Sequence, residues 1–256
     1  MSLKKDTGIV LHAKVFSDSD VIFTLLGESQ AKARYVVKGI KKSKRRPILA
    51  CEQGSQIRID YYHHLHREVY NIKELHLINR FEVAKKGYDG FLLVSYLCDL
   101  VQAFLPDGDV YQRCYKILHA AFSYLQAEQY LPILLPFFKV RLLAEIGLIS
   151  QEFFCHSCGI PVLEMAEPAV HLEAWNFEIT CSNCNAPPNN HIHILHLLDI
   201  LFQSKYKTLL THPVPLPVII ELDRALNTYI QAYLNRHIKS HALLYQTLGN
   251  SYELYR

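Results

Sequence analysis

The strongest chemical signal in this chain comes from two pairs of cysteines. Cys155-His156-Ser157-Cys158 and Cys181-Ser182-Asn183-Cys184 are C-x-x-C knuckles with 22 residues between the inner cysteines. Such a turn offers two thiolates from one tight loop, and a second one completes the tetrahedron that Zn²⁺ prefers. The doubled spacing predicts a zinc ribbon, with one Zn²⁺ per chain held by Cys155, Cys158, Cys181 and Cys184. Four protein ligands leave no position for an activating water, so the metal is expected to be structural. His156, His171, His191, His193 and His196 lie close enough in sequence to stand in for one cysteine.

Three other chemistries compete for these residues. Two disulfides require an oxidising compartment. The start Met1-Ser2-Leu3-Lys4-Lys5-Asp6 lacks the apolar core of a secretory signal, so a cytoplasmic protein is expected. A thioredoxin-like redox pair explains one knuckle but not two in one short segment. A zinc deaminase is imitated by His171-Leu172-Glu173 ahead of Cys181-x-x-Cys184. There, however, Thr180 replaces the proline of that signature, only seven residues separate Glu173 from Cys181, and Cys155 and Cys158 are left idle. The remaining cysteines, Cys51, Cys98 and Cys114, sit in apolar stretches and are expected to be small core side chains.

A second constellation is electrostatic. Lys32, Arg34, Lys38, Lys41, Lys42, Lys44, Arg45 and Arg46 fall within fifteen residues that contain no acid. A solvated surface loop or a nuclear-localisation patch are the bland readings. A loop that follows the phosphates of a nucleic acid is the sharper one. Tyr35, Tyr61, Tyr62 and Tyr70 are candidate stacking faces, and equally candidate core residues. Charge is also segregated along the chain. Residues 1–80 hold 15 Lys and Arg against 8 Asp and Glu, a net of +7, and residues 81–256 hold 12 against 16, a net of −4. That division suggests separate tasks, with the anionic partner on the first region.

The elements that must position these residues follow from periodicity. Gly8–Val15, Asp20–Gly27, Ala31–Lys38, Gln56–Tyr62 and Glu68–Leu77 read as strands, and Ile57 to Tyr61 alternate cleanly. Five strands in some eighty residues with no helix between them predict a small barrel, of which the oligonucleotide-binding (OB) type is the commonest five-stranded form. From Phe81 the period becomes helical, over Phe91–Phe104, Val110–Ala127, Ile133–Leu148, His191–Tyr206 and Pro217–His237. Ala186-Pro187-Pro188-Asn189-Asn190 is a loop by composition. The expected fold class is α+β multidomain: a barrel domain over 1–80, a helical domain over 81–150 and 191–256, and a zinc module over 151–190. Half the residues are hydrophobic and a fifth charged, which excludes a disordered chain. No apolar run approaches bilayer length, so no membrane partner is expected.

Further pieces carry a likeness. Gly8-Ile9-Val10-Leu11, Ser19-Asp20, Thr24-Leu25-Leu26 and Val37-Lys38-Gly39-Ile40-Lys41-Lys42-Ser43-Lys44 come first. Phe138-Lys139-Val140-Arg141-Leu142-Leu143-Ala144-Glu145-Ile146-Gly147, the cysteine knuckles and Tyr233-Leu234 with His237-Ile238-Lys239-Ser240 follow. Together and in this order they resemble the RecO family of bacterial DNA repair and recombination mediators. The resemblance implies a non-enzymatic protein of the cytoplasm and nucleoid. Such a protein binds single- and double-stranded DNA, anneals complementary strands, and helps load the RecA recombinase on DNA coated by single-stranded-DNA-binding protein. It implies RecR and the acidic tail of single-stranded-DNA-binding protein as partners. Phe138, Lys139, Arg141 and Leu142 are the candidate tail-binding residues, since cations beside apolar groups suit such a tail. The segment Ala50-Cys51-Glu52-Gln53-Gly54 departs from the family, which often has a proline there. A zinc-ribbon DNA-binding regulator is the competing function and the deaminase a weaker one. No Walker phosphate loop, G-x-S-x-G elbow or H-E-x-x-H helix occurs.

Overall fold

The computed structural model describes residues 2–65, 67–128, 132–165, 169–184, 190–211 and 214–249, without the side chains of 248 and 249. The chain divides into two compact units, Met1–Gln129 with Ile238–Arg256, and Tyr130–His237.

The first unit is built on a closed barrel. Its strands are β1 (Ser2–Val15), β2 (Val21–Gly27), β3 (Ala33–Val37), β4 (Gln56–His63) and β5 (Val69–Asn79), in the order β1-β2-β3-β5-β4. β3 and β5 run parallel and the other pairs antiparallel. The long β1 closes the barrel by serving two neighbours. Ser2 to Ile9 face β4, and Gly8 to Val15 face β2. At the handover Gly8 stands opposite Gly27, and a Cβ on Gly8 would lie 2.6 Å from Leu25 Cγ and from the Leu26 carbonyl. Only glycine fits so close a strand approach. Alternation fills the interior: Val10, Phe23, Leu25, Tyr35, Val37, Ile57, Ile59 and Tyr61 are buried together, while Arg58 faces solvent.

Two helices cover this barrel and a third packs behind them. α1 (Gly87–Phe104) packs on β1, α2 (Gln112–Gln126) on β1 and β2, and α7 (Lys239–Gly249) on α1. Ile9 and Leu11 are fully buried without belonging to the barrel core. They serve the opposite face of β1, where a bulge between Val10 and His12 shifts the register. Asp99 of α1 accepts hydrogen bonds from Gln53 Nε2 at 3.1 Å and from Ser240 Oγ at 2.5 Å, which joins three segments distant in sequence.

The second unit holds α3 (Leu134–Glu145), α4 (Ile192–Gln203), α5 (Tyr206–Leu209) and α6 (Leu216–Leu234), with a small hairpin of β6 (Val170–Glu173) and β7 (Glu178–Cys181). α3 touches both α4 and α6 and buries most of its residues, Lys139 included. Pro217 lies in the first turn of α6, where its missing N–H costs nothing.

The fold class is therefore the expected one: a closed five-stranded barrel, then helices with a cysteine cluster between them. The compact units are not the three segments 1–80, 81–150 with 191–256, and 151–190. A change of period marks where strands give way to helices, but it does not say which helices share a core. Of the loop expected at 186–190, residues 186–189 lie outside the described residues. No helix among the described residues is long and apolar enough to cross a membrane.

Candidate nucleic-acid interface and metal centre

The basic run leaves β3 as an ordered excursion. Gly39 turns the chain at φ +67°, a conformation that L side chains rarely adopt. A 3-10 turn, Ile40–Lys42, follows, with Ile40 buried in the barrel core. Ser43 Oγ then accepts the N–H groups of Arg45 (3.3 Å) and Arg46 (3.0 Å). A second turn, Ile48–Cys51, re-enters the core through Ala50 and Cys51. The β1–β2 turn holds the loop from the side. Asp20 Oδ1 accepts the Gly39 N–H at 2.8 Å, and the Ser19 carbonyl accepts the Lys41 N–H at 3.1 Å. The Gly39 N–H and then the Ser19 hydroxyl hold the Asp20 carboxyl below the usual carboxylate range. This gives Ser19-Asp20 a structural task in presenting the loop.

The eight candidate cations separate into distinct roles. Lys38, Lys41, Lys42, Lys44 and Arg45 are exposed and point charge at solvent from this loop. Arg46 is half-buried and donates to the carbonyls of Lys38 (3.2 Å) and Lys73 (2.9 Å), so it latches the loop to β5. Arg34 faces Glu68 at 2.5 Å and Asp107 at 3.6 Å, which neutralise it locally. Lys32 is a correction to the expected set. It is 1% exposed, and its ammonium donates to the Leu105 carbonyl at 2.6 Å and to Asp107 Oδ1 at 2.7 Å. It ties the end of α1 to the barrel and cannot reach a phosphate.

Of the two readings open for the tyrosines, the structure gives the core one for Tyr35 and Tyr61. Tyr35 and Tyr61 are core residues packed edge to face at 5.0 Å. Tyr70 leans on both at 5.8 and 5.5 Å and, like Tyr62, is half-buried. These rings stabilise the barrel interior, leaving no open face on Tyr35 or Tyr61 for a base.

In the second unit the two knuckles come together. The thiol sulfurs of Cys155, Cys158, Cys181 and Cys184 all lie within 4.8 Å of one another, so they could hold a metal ion. Cys158 and Cys181 sulfurs are 3.7 Å apart. A tetrahedral ion with metal–sulfur bonds of ~2.3 Å needs sulfur–sulfur edges of about 3.8 Å. Local pairing makes this arrangement: β6 and β7 place Cys181, and the Cys155 and His156 N–H groups bond to the carbonyls of Ile160 (2.9 Å) and Ile179 (2.7 Å). Burial raises the Cys155 thiol, but N–H groups of Cys181, Cys158 and Ser157 outweigh it and bring it down to about 6. The Cys184 thiol, bonded to Cys158 and then penalised by burial, is pushed up to about 12. Crowded thiols oppose one another's ionisation, and a bound dication removes that opposition.

None of the five nearby histidines belongs to this cluster. His191 Nδ1 accepts the Leu172 N–H at 2.9 Å, and His193 meets Glu221 at 2.7 Å. His171 packs against the His191 ring at 5.1 Å and faces Glu173 at 3.8 Å. A deaminase site requires His171 beside Cys181 and Cys184, and here Cys155 and Cys158 take that place. Cys51, Cys98 and Cys114 are buried, as expected.

The candidate tail-binding residues are also corrected. Phe138 and Leu142 are 1% exposed and Lys139 is fully buried. Lys139 Nζ donates to Asp223 Oδ1 and Asn227 Oδ1, both at 2.6 Å. Only Arg141 is partly accessible; it donates to the Ser204 carbonyl at 2.6 Å and lies over the Phe137 ring. α3 is a core helix, and three of these four side chains are buried.

A closed barrel in the order β1-β2-β3-β5-β4 places the first unit among barrels of oligonucleotide-binding type. Comparison with known families narrows this class. Residues 1–81 match the model described as Recombination protein O N terminal, and residues 86–242 match Recombination protein O C terminal. The chain belongs to the recombination protein O (RecO) family of DNA repair proteins. It is 33% identical over 250 residues to DNA repair protein RecO of Leptospira biflexa serovar Patoc (strain Patoc 1 / Ames), covering 98% of this chain and 100% of that one. It is also similar to the protein of that name from Symbiobacterium thermophilum, at 23% identity over 95% of this chain and 97% of the relative.

Proposed function

We propose that the chain is a non-enzymatic recombination mediator of the cytoplasm and nucleoid. It binds single- and double-stranded DNA through the loop after β3, anneals complementary strands, and helps load the RecA recombinase on DNA coated by single-stranded-DNA-binding protein. RecR and the tail of single-stranded-DNA-binding protein are its protein partners in this reading. The observation that carries it is the loop: five exposed cations, Lys38, Lys41, Lys42, Lys44 and Arg45, on a turn braced by Asp20, Ser43 and Arg46. Solvated charge runs need no such bracing. Fixed cations at a barrel rim follow a sugar–phosphate backbone without reading its sequence. A protein that neutralises two strands at once lowers their repulsion and lets complementary bases find each other.

The metal in this reading is Zn²⁺, one per chain, held by Cys155, Cys158, Cys181 and Cys184. Four thiolates are the soft, closed donor set that suits structural zinc.

Annealing tests the proposal. Two complementary labelled oligonucleotides are mixed with and without the protein, bare and then coated with single-stranded-DNA-binding protein. The protein is expected to raise the rate of duplex formation in both cases, without nucleotide hydrolysis. A rate equal to the spontaneous one on bare strands contradicts the proposal.

A further inference from the structure

The turn that braces the basic loop carries an aromatic side chain turned largely to solvent. Phe16 is 63% exposed and Val15, before it, 62%. An exposed phenylalanine ring on a fixed turn offers a ligand an apolar face to cover. The backbone here is fixed. The Phe16 N–H bonds to the Asp20 carbonyl at 3.0 Å, and the Asp20 N–H to Ser17 Oγ at 3.2 Å. Asp20 Oδ1 in turn takes the Gly39 N–H, and Ser19 O takes the Lys41 N–H. Phe16 therefore stands two hydrogen bonds from the start of the cationic loop. Tyr35 and Tyr61 are committed to the core and Tyr62 and Tyr70 are half-buried, whereas Phe16 presents most of its ring to solvent.

We propose that Phe16 is a stacking platform for an unpaired nucleobase of a strand whose phosphates lie along Lys38, Lys41, Lys42, Lys44 and Arg45. The inference rests on the DNA-binding reading above and adds to it a contact that separates single strands from duplex. A base in a duplex is already stacked and cannot lie on Phe16. An unpaired base can, whatever its identity, because every base offers a π-face. The charge beside the ring commits the occupant: an acidic strand carrying flat apolar groups matches a ring among cations. The β1–β2 turn is also one of the loops with which barrels of this type contact oligonucleotides.

The test compares wild type, Phe16→Ala and Phe16→Trp in binding a labelled oligo-thymidylate and a duplex of equal length. Phe16→Ala is expected to weaken single-strand binding by at least about fivefold, the lower end of what one base–aromatic stack contributes. It should leave duplex affinity within about twofold and the salt dependence unchanged, since no phosphate contact is lost. Phe16→Trp should retain single-strand affinity, and oligo-thymidylate should quench its fluorescence beyond the change seen with Trp175 alone. Wild-type single-strand affinity in Phe16→Ala overturns the proposal while leaving the DNA-binding reading intact. Equal losses for single strand and duplex also overturn it and mark Phe16 as a brace of the loop. Absence of single-strand binding by wild type overturns both.

Discussion

Cys158→Ala is expected to cost the protein its metal and to loosen the ribbon, while the helices outside it stay folded. The hairpin of β6 and β7 has four residues per strand. A two-stranded hairpin alone is marginal in water. The apolar contribution of the module is small too, resting on Val162, Val170, Leu172, Ile179 and a few neighbours. Metal binding in comparable small modules contributes on the order of 10–16 kcal/mol, so it decides whether this segment is ordered. Cys158 is exposed, which makes its replacement a loss of ligand and not of packing. Elemental analysis should give one zinc per wild-type chain and far less in the variant. Hydrogen exchange should accelerate at the amides of Cys155, His156, Val162 and Ser182, which bond within the module. Full zinc content and unchanged exchange in Cys158→Ala contradict the assignment.

Asp223→Ala is expected to be the most destabilising single change in the helical unit outside the ribbon. Lys139 is fully buried, with its ammonium between Asp223 and Asn227. Burial pulls its pKa below that of an ordinary lysine, against the opposing pull of Asp223. Asn227 Nδ2 also bonds to Asp223 Oδ2 at 3.3 Å, so the three polar groups form one buried network. Removing the carboxylate strands a charge inside a close-packed helix contact, a loss of about 3–5 kcal/mol. Lys139→Met on top of Asp223→Ala should recover much of that, because the pair is replaced by apolar volume and no buried charge remains. Urea unfolding monitored on the full chain reads both: a large drop in midpoint for the single variant and a smaller one for the double. Equal midpoints for wild type and Asp223→Ala contradict the account.

The same pair shows where sequence reading stops. Phe138-Lys139-Val140-Arg141-Leu142 looks amphipathic enough to dock a peptide. The partner that buries Lys139 is 84 residues away, and no local pattern reveals it. Lys32 is the same case, since its acid, Asp107, is 75 residues distant. Charge runs report composition, and burial depends on tertiary pairing. What could be read was local. C-x-x-C spacing fixes thiol geometry through covalent chain length, and the alternation Ile57, Ile59, Tyr61 fixes a strand face. The polar first half of β1 carries no such signal, since Ser2 to Thr7 lack the apolar period, although β4 pairs along all of it. α7 is held by α1, far earlier in the chain. Phe16 lies between two strands, where periodicity carries no signal. The signal available was a large aromatic next to Ser17-Asp18-Ser19-Asp20, where turns normally carry small polar residues.

The central claim is that the ordered loop after β3 carries the phosphate contacts, and the salt dependence of DNA binding tests it most directly. Each phosphate neutralised on a single strand contributes about −0.7 to the slope of log K against log salt. Lys41, Lys42 and Lys44 are exposed, so replacing all three by Ala should leave the fold intact, as circular dichroism and thermal unfolding will show. The account predicts a slope flatter by up to about 2 units and an equal loss of affinity for every sequence tried. A folded triple variant with the wild-type slope would contradict it and make the loop a bystander surface.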